Sequence, residues 1–192
     1  WESQRRMGLT FSVLLRPRIS PVAAALLPLV VAVAVAEAIG PGARISWPND
    51  IVLDGTKVCG ILCESSADES GIAWMVAGIG INVHGAPHLP GSRWRAGALG
   101  GAVAVSRADL LVNVLNRLDV RYREWLEHGP GDLCTAYAER DALIGCGLAV
   151  QTAQGEVVGT AAGIDEFGRL RVRTASGERR LGSGEVVRVE RQ

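Results

Sequence analysis

A chain of 192 residues that is 48% hydrophobic and 21% charged can fill the core of one ordinary domain, or of one domain with a small appendage, and is not the composition of a disordered chain. Twenty basic residues balance twenty acidic ones, which argues against a dedicated nucleic-acid binder and against a membrane-surface protein. Four scattered cysteines exclude a disulfide scaffold, and 5% aromatics argue against a stacking platform for single strands.

In chain order, the first element is a strand from Leu9 to Leu15, ended by Arg16-Pro17. The chain opens on Trp1 rather than methionine, without a signal or transit peptide, and a strand so near its start leads us to expect preceding residues in the natural product. Val22 to Gly40 is almost wholly apolar, but Pro28 and Glu37 interrupt it and its alanines suit close packing. The expectation is a buried helix from about Leu26 to Ile39 against a sheet, not a membrane span, with Gly40-Pro41-Gly42 as its stop.

Next comes a hairpin. Asp54-Gly55 separates two apolar runs, the signature of a two-residue turn. With that loop Leu53 faces Thr56, Val52 faces Lys57 and Asp50 faces Cys59, so Asp50, Val52, Lys57 and Cys59 share one side. Asp50 and Lys57 become diagonal neighbours, roughly 7–8 Å apart at the backbone and within reach of a long side chain. Of 20 basic residues, Lys57 is the one lysine. Two readings stand: a surface ion pair worth under about 1 kcal/mol, or a compact ammonium that meets an anionic substrate beside a carboxylate that orients it. Gly60, mid-strand, marks a place where a ligand approaches the backbone.

A third strand spans Ile72 to Val83, on which Gly78, Gly80 and Asn82 point one way. Two missing side chains make a shelf with an amide at its end, suited to an adenine-like edge; the same glycines would equally admit a helix. No GxGxxG fingerprint or Walker-type loop occurs.

Trp47-Pro48-Asn49-Asp50, then Lys57-Val58-Cys59-Gly60-Ile61-Leu62-Cys63-Glu64, then Gly78-Ile79-Gly80-Ile81-Asn82-Val83, resemble the ordered signatures of biotin protein ligases. The resemblance covers residues 1–145 as catalytic domain and 146–192 as the family's small C-terminal SH3-like barrel. It is to the short, non-repressor type. Ser46 stands where the family motif begins with lysine, and Trp1 matches the tryptophan that follows the family's glycine- and arginine-rich loop, so the expectation is a chain that starts part-way into that domain. The resemblance implies ATP, biotin and Mg²⁺: biotin is activated as biotinyl-5′-AMP and passed to a lysine of a biotin carboxyl carrier domain. It implies that Lys57 and Asp50 are catalytic, with Lys57 screening carboxylate from α-phosphate and Asp50 orienting it or helping to hold Mg²⁺. Trp47, Asn49, Gly60, Gly78, Gly80 and Asn82 would bind biotin or ATP, Asn82 at the adenine edge; Trp47 also reads as plain core.

Residues 84–101 read as a loop. His84 and His88 carry no helix to make them a metal pair, and Trp94 is a candidate for stacking on adenine. Ser106 caps a helix to about His128, with Leu110, Leu111, Val114, Leu115, Leu118, Tyr122 and Trp125 inward and arginines outward. A short helix covers Leu133 to Arg140. Cys59 and Cys63 read as small buried hydrophobes in a reducing cytoplasm rather than zinc ligands. From Cys146 short β runs follow: Leu148–Thr152, Val157–Ile164, Leu170–Thr174 and Val186–Glu190. The fold expected is α+β, a mixed, mostly antiparallel sheet packed with helices, plus the C-terminal barrel. A homodimer is compatible with it; nucleic acid and membrane partners are not expected. Alternatives are a non-catalytic remnant with a partner-binding barrel, and a lipoate-protein ligase, which shares the fold.

Overall fold

The structure, a computed structural model, describes residues 6–69, 71–87, 94–100 and 106–190. Trp1 and His88 lie outside the described residues. The elements run β1 (Gly8–Leu15), α1 (Pro21–Ala24), α2 (Leu27–Ile39), β2 (Arg44–Ser46), β3 (Asp50–Leu53), β4 (Thr56–Asp68), β5 (Gly71–Asn82), β6 (Arg95–Ala96), α3 (Arg107–His128), α4 (Pro130–Ala138), and then β7 (Gly147–Thr152), β8 (Gly155–Ile164), β9 (Leu170–Thr174), β10 (Gly177–Leu181) and β11 (Glu185–Glu190).

The first sheet has the order β1-β5-β4-β3-β2, antiparallel throughout, with β6 added parallel to the start of β4. Alternation writes its two faces. On β5, Ile79 and Ile81 are buried while Gly78 is half-buried, and along β1 Thr10, Ser12 and Leu14 face out.

Against this sheet lies α2, whose residues from Leu29 to Ala36 are all buried. A helix apolar on every side can only be stable enclosed. Although the stretch Pro21–Ile39 is apolar and long enough to cross a membrane by composition, here it packs on β2, β3 and β4 on one side and on α3 and α4 on the other. Each fully buried Val or Leu contributes roughly 1.5–3 kcal/mol. Glu37, the charge late in that run, is met by Arg121 of α3, which also bonds Glu124 at 2.8 Å. Arg121 therefore turns inward, unlike the outward arginine expected.

Helix α3 starts where the Ser106 hydroxyl accepts from Asp109 N at 3.3 Å. Its buried stripe is Leu110, Val114, Leu118 and Trp125. Leu111 and Tyr122 are only half-buried, and Leu115 is 40% exposed. The stripe is narrower than expected because α2 is lined with alanine and valine and takes one row of large side chains. Helix α4 begins at Pro130, earlier than expected, with proline in its first turn, where a missing N–H costs nothing.

The second sheet is antiparallel with the order β10-β9-β8-β7-β11. Strand β10 (GERRL) was not anticipated: four of its five residues are exposed, so it carries no apolar alternation, and pairing to β9 makes it a strand. Hydrogen bonds tie the first sheet both to the segment that leads into the second and to a turn of the second. Ile45 N donates to Arg140 O at 2.7 Å and Ala142 N to Ile45 O at 2.9 Å, so the segment after α4 runs beside β2. Trp47 Nε1 donates to Gly168 O at 3.1 Å. Gly168 is at φ 75°, and a Cβ there would lie 2.7 Å from Leu29 Cδ1, so glycine lets this turn close on α2.

Candidate active site

The hairpin turns at Asp54 (φ 49°) and Gly55 (φ 73°), two consecutive left-handed residues that match the right-handed twist of the strands. Beyond the turn the pairing departs from expectation. Leu53 faces Thr56 and Val52 faces Lys57, but Ile51 then faces Cys59, leaving Val58 as a bulged extra residue. Asp50 accordingly faces Gly60, not Cys59. The bulge lets Val58 and Cys59, adjacent in sequence, both be buried. Its consequence for the site is that a glycine, not a thiol, sits opposite Asp50.

The Lys57 ammonium lies 2.6 Å from Asp50 Oδ1, with the two side chains 28% and 16% exposed. Asn49 fixes the carboxylate's backbone: its Nδ2 donates to Ile61 O at 2.7 Å, and Ile61 N donates to Asn49 O at 2.9 Å. Asn49 thus clamps β4 while lining the cavity.

One row of paired residues crosses all five strands: Thr10 on β1, Gly80 on β5, Gly60 on β4, Asp50 on β3 and Ser46 on β2. Its second and third members, Gly80 and Gly60, have no side chain. A cavity of about 430 Å³ opens over this floor, walled by Thr10, Asp50, Lys57, Gly60, Gly80 and Asn82, a volume in the range of small-molecule sites. Gly78 belongs to the next row, between Ser12 and Leu62, and lies outside the cavity wall, although Leu62 reaches it. Trp47 is buried in the core and also lies outside the wall.

Asn82 stands at the cavity's edge, and its Nδ2 donates to Gly97 O at 2.9 Å. Residues 94–100 run across the ends of β4 and β5: Gly97 N donates to Lys57 O and Leu99 N to Asn82 O, each at 2.9 Å. Trp94, a candidate for stacking on adenine, is 8% exposed and donates its indole N–H to the Ser46 hydroxyl at 3.1 Å. Ser46, at the position of the family lysine, is fully buried.

A second cleft of about 360 Å³ flanks the same ion pair, walled by Pro48, Trp94, Gly184, Glu185 and Val186 together with Asn49, Asp50 and Lys57. The sequence held no signal for the participation of Gly184 and Glu185, because the contact exists only through the docking of the second sheet. Burial foremost, and then Asp50, push the Cys59 thiol upward against the pull of Lys57, and burial pushes Cys63 up to about 12. Both sulfurs stay protonated and unreactive at neutral pH. Among the described residues, no group of three or more His, Cys, Asp or Glu is placed to hold a metal ion. Among the described residues that line the cavity Asp50 is the one carboxylate, a donor set that would fit an ion such as Mg²⁺, which keeps most of its water and takes one or two protein carboxylates.

Residues 1–82 match the family model of the Biotin/lipoate A/B protein ligase family, and residues 148–189 that of the Biotin protein ligase C terminal domain. The chain is 33% identical over 194 residues to the bifunctional ligase/repressor BirA of Bacillus subtilis (strain 168), spanning 97% of this chain and 60% of that protein's length. It is 33% identical over 186 residues to the biotin--[acetyl-CoA-carboxylase] ligase of Paracoccus denitrificans, spanning 91% of this chain and 78% of the relative. Among solved structures it resembles the biotin protein ligase from Aquifex aeolicus, with a TM-score of 0.81 and 27% identity, over 97% of this chain and 83% of the other. That enzyme's complex with biotin and ATP superposes with a TM-score of 0.76 at 26% identity, over 100% of this chain and 82% of the other.

Proposed function

From the premise that the chain belongs to the biotin--[acetyl-CoA-carboxylase] ligase family, we propose that it activates biotin with ATP as biotinyl-5′-AMP and passes the biotinyl group to a lysine of a biotin carboxyl carrier domain. The observation that carries this reading is the Lys57–Asp50 pair set at the wall of a cavity whose floor is two paired glycines.

In the first step a biotin carboxylate oxygen attacks the α-phosphorus of ATP, the bond to the bridging oxygen breaks, and pyrophosphate leaves. Two anions must approach, and charge builds on the phosphoryl oxygens. A fixed ammonium beside them offsets that repulsion and costs no reorganisation as the reaction proceeds. Asp50 holds the ammonium in place. In the second step the neutral amine of the acceptor lysine attacks the acyl carbon, AMP leaves with the electron pair, and the amine's proton passes to solvent. Gly60 and Gly80 let a flat or extended substrate lie on backbone, and Asn82 meets the base. Asp50 would be the residue to hold Mg²⁺ brought by the nucleotide, and the ion would there supply neutralisation of phosphate charge.

Four cysteines without disulfides suit the cytoplasm as its proposed setting. The test is ATP–pyrophosphate exchange by this chain with biotin, with lipoate and with neither. Exchange that needs biotin is the expected result. Exchange that needs lipoate, or none with either, overturns the proposal.

A further inference from the structure

The peptide of Gly97 touches two functional groups at once. Its carbonyl accepts from Asn82 Nδ2 and its N–H donates to Lys57 O, each at 2.9 Å. A backbone carbonyl can only accept, so the amino end of the Asn82 amide is committed to it. What the amide has left is its carbonyl Oδ1, an acceptor, and the second N–H of Nδ2, in an order that Gly97 O does not let it reverse, on a residue that lines the cavity beside the glycine floor.

From this we infer that Gly97 is a positioning residue that fixes the polarity of Asn82, making the site selective for a 6-aminopurine over a 6-oxopurine, and that ties this selection to the placement of Lys57. The inference deepens the ATP reading above and rests on it. An adenine amino group donates to Oδ1. A hypoxanthine or guanine carbonyl at the same place would set acceptor against acceptor with the partner desolvated. A freely rotating asparagine could present either end and would discriminate little.

The position requires glycine. A Cβ on Gly97 would lie 2.0 Å from Thr56 Oγ1 and 2.5 Å from Thr56 Cβ, so any side chain pushes residues 94–100 away from the start of β4. The displacement would break both hydrogen bonds together. Thr56 has its own tether, its hydroxyl donating to Leu53 O at 2.9 Å, and does not yield easily.

The experiment titrates ATP and ITP into the chain without biotin, by calorimetry, and measures biotin-dependent pyrophosphate exchange with each nucleotide. The unaltered chain should prefer ATP by about ten- to a hundredfold, the worth of one well-placed hydrogen bond against a clash of acceptors. Gly97→Ala should bring the two affinities close to parity and lower the exchange rate. Adding Thr56→Gly, which removes the obstructing atoms, should restore both. Asn82→Asp keeps an acceptor toward the base but turns a second acceptor on Gly97 O, and should lower the preference and the rate without the steric burden. The affinity ratio is a readout that loss of stability alone would not move. A chain that exchanges pyrophosphate yet takes ATP and ITP alike overturns the inference and leaves the ligase proposal standing, as does a Gly97→Ala chain that keeps both ratio and rate. A preference for ATP of tenfold or more, without biotin-dependent exchange, supports the inference and sinks the other.

Discussion

Trp47 and Gly168, 121 residues apart, share a hydrogen bond of 3.1 Å from the indole N–H to the backbone carbonyl. Trp47, two residues before Asn49, is thereby held by the turn between β8 and β9 of the second sheet, and the second cleft exists because that sheet is docked. Trp47→Phe keeps the buried ring and removes the donor. It should cost about 0.5–1.5 kcal/mol, since Gly168 O loses its partner in a partly buried place. Trp47→Ala should cost about 3–5 kcal/mol. Denaturant unfolding measures both. A Trp47→Phe chain as stable as the parent would mean that the contact does not hold the sheets together.

Lys57→Arg should lower biotin-dependent exchange by about 10²–10³-fold, the usual loss when one preorganised charge-stabilising donor is misplaced, because a planar fork cannot occupy the position of a compact ammonium. Stability should change by less than about 1 kcal/mol, as for a partly exposed ion pair. Exchange at the parental rate would refute the assigned role.

Gly80→Val places a branched side chain where a ligand would lie and should weaken nucleotide or biotin binding at least about tenfold, while the fold loses no more than the ~1–3 kcal/mol that an inserted side chain costs. Gly78→Ala is the contrast. Its Cβ would meet Leu62 O at 3.5 Å and Ser12 Oγ at 3.9 Å, ordinary contacts, outside the wall. Substrate KM values separate the two, and equal effects would contradict the placement of the floor.

Asp165 organises the turn that meets Trp47. Its Oδ1 accepts from Phe167 N and Arg169 N at 3.0 Å, and its Oδ2 from Arg169 Nε at 2.8 Å. Burial pushes the carboxyl up, but the Arg169 and Phe167 donors and the Arg169 charge outweigh it, and its pKa lies below the ordinary value. A depressed carboxyl contributes stability that is complete above its unfolded pKa and lost as pH falls through the folded one. Acid titration should therefore loosen the second sheet below about pH 4, the ordinary carboxylate value. Asp165→Asn should remove most of that dependence along with the stability. A Tm that falls equally with acid in both chains would dismiss the assignment.

Asp141 has the opposite sign. Its Oδ1 accepts from Leu143 N at 2.8 Å, while its buried Oδ2 has no hydrogen-bond partner among the described residues. Burial raises its pKa against the Leu143 and Ile144 N–H groups. Ionisation there costs stability as pH rises, so Asp141→Asn, which keeps the Oδ1 acceptor, should be more stable than the parent at neutral pH. The two should converge below the ordinary carboxylate range. Thermal unfolding at pH 3 and pH 7 checks this, and a variant less stable at pH 7 would contradict it.

Much of this architecture could be read from residues alone. Asp54-Gly55 announced its turn, and the apolar run ending at Gly40 its helix. The single lysine's meeting with Asp50 also followed from strand alternation. The bulge at Val58 did not, because Val58 and Cys59 are both apolar and either could have been the extra residue. Strand β10 is written in charged residues and owes its pairing to β9. The role of Gly97 and the wall contributed by Gly184 and Glu185 depend on tertiary docking, which leaves no period in the sequence.

The five-strand row from Thr10 to Ser46 carries a liability. Were β5 to slide by two residues, the buried isoleucines would still point inward and Gly78 would replace Gly80 opposite Gly60, so neither the oily interior nor the bare floor would register the error. Asn82 alone would betray it, carried about 7 Å along the strand away from Gly97. Fidelity of assembly at this centre thus rests on punctuation, the irregular step at Val58 and the short crossing of residues 94–100, and not on the greasy bulk of the molecule.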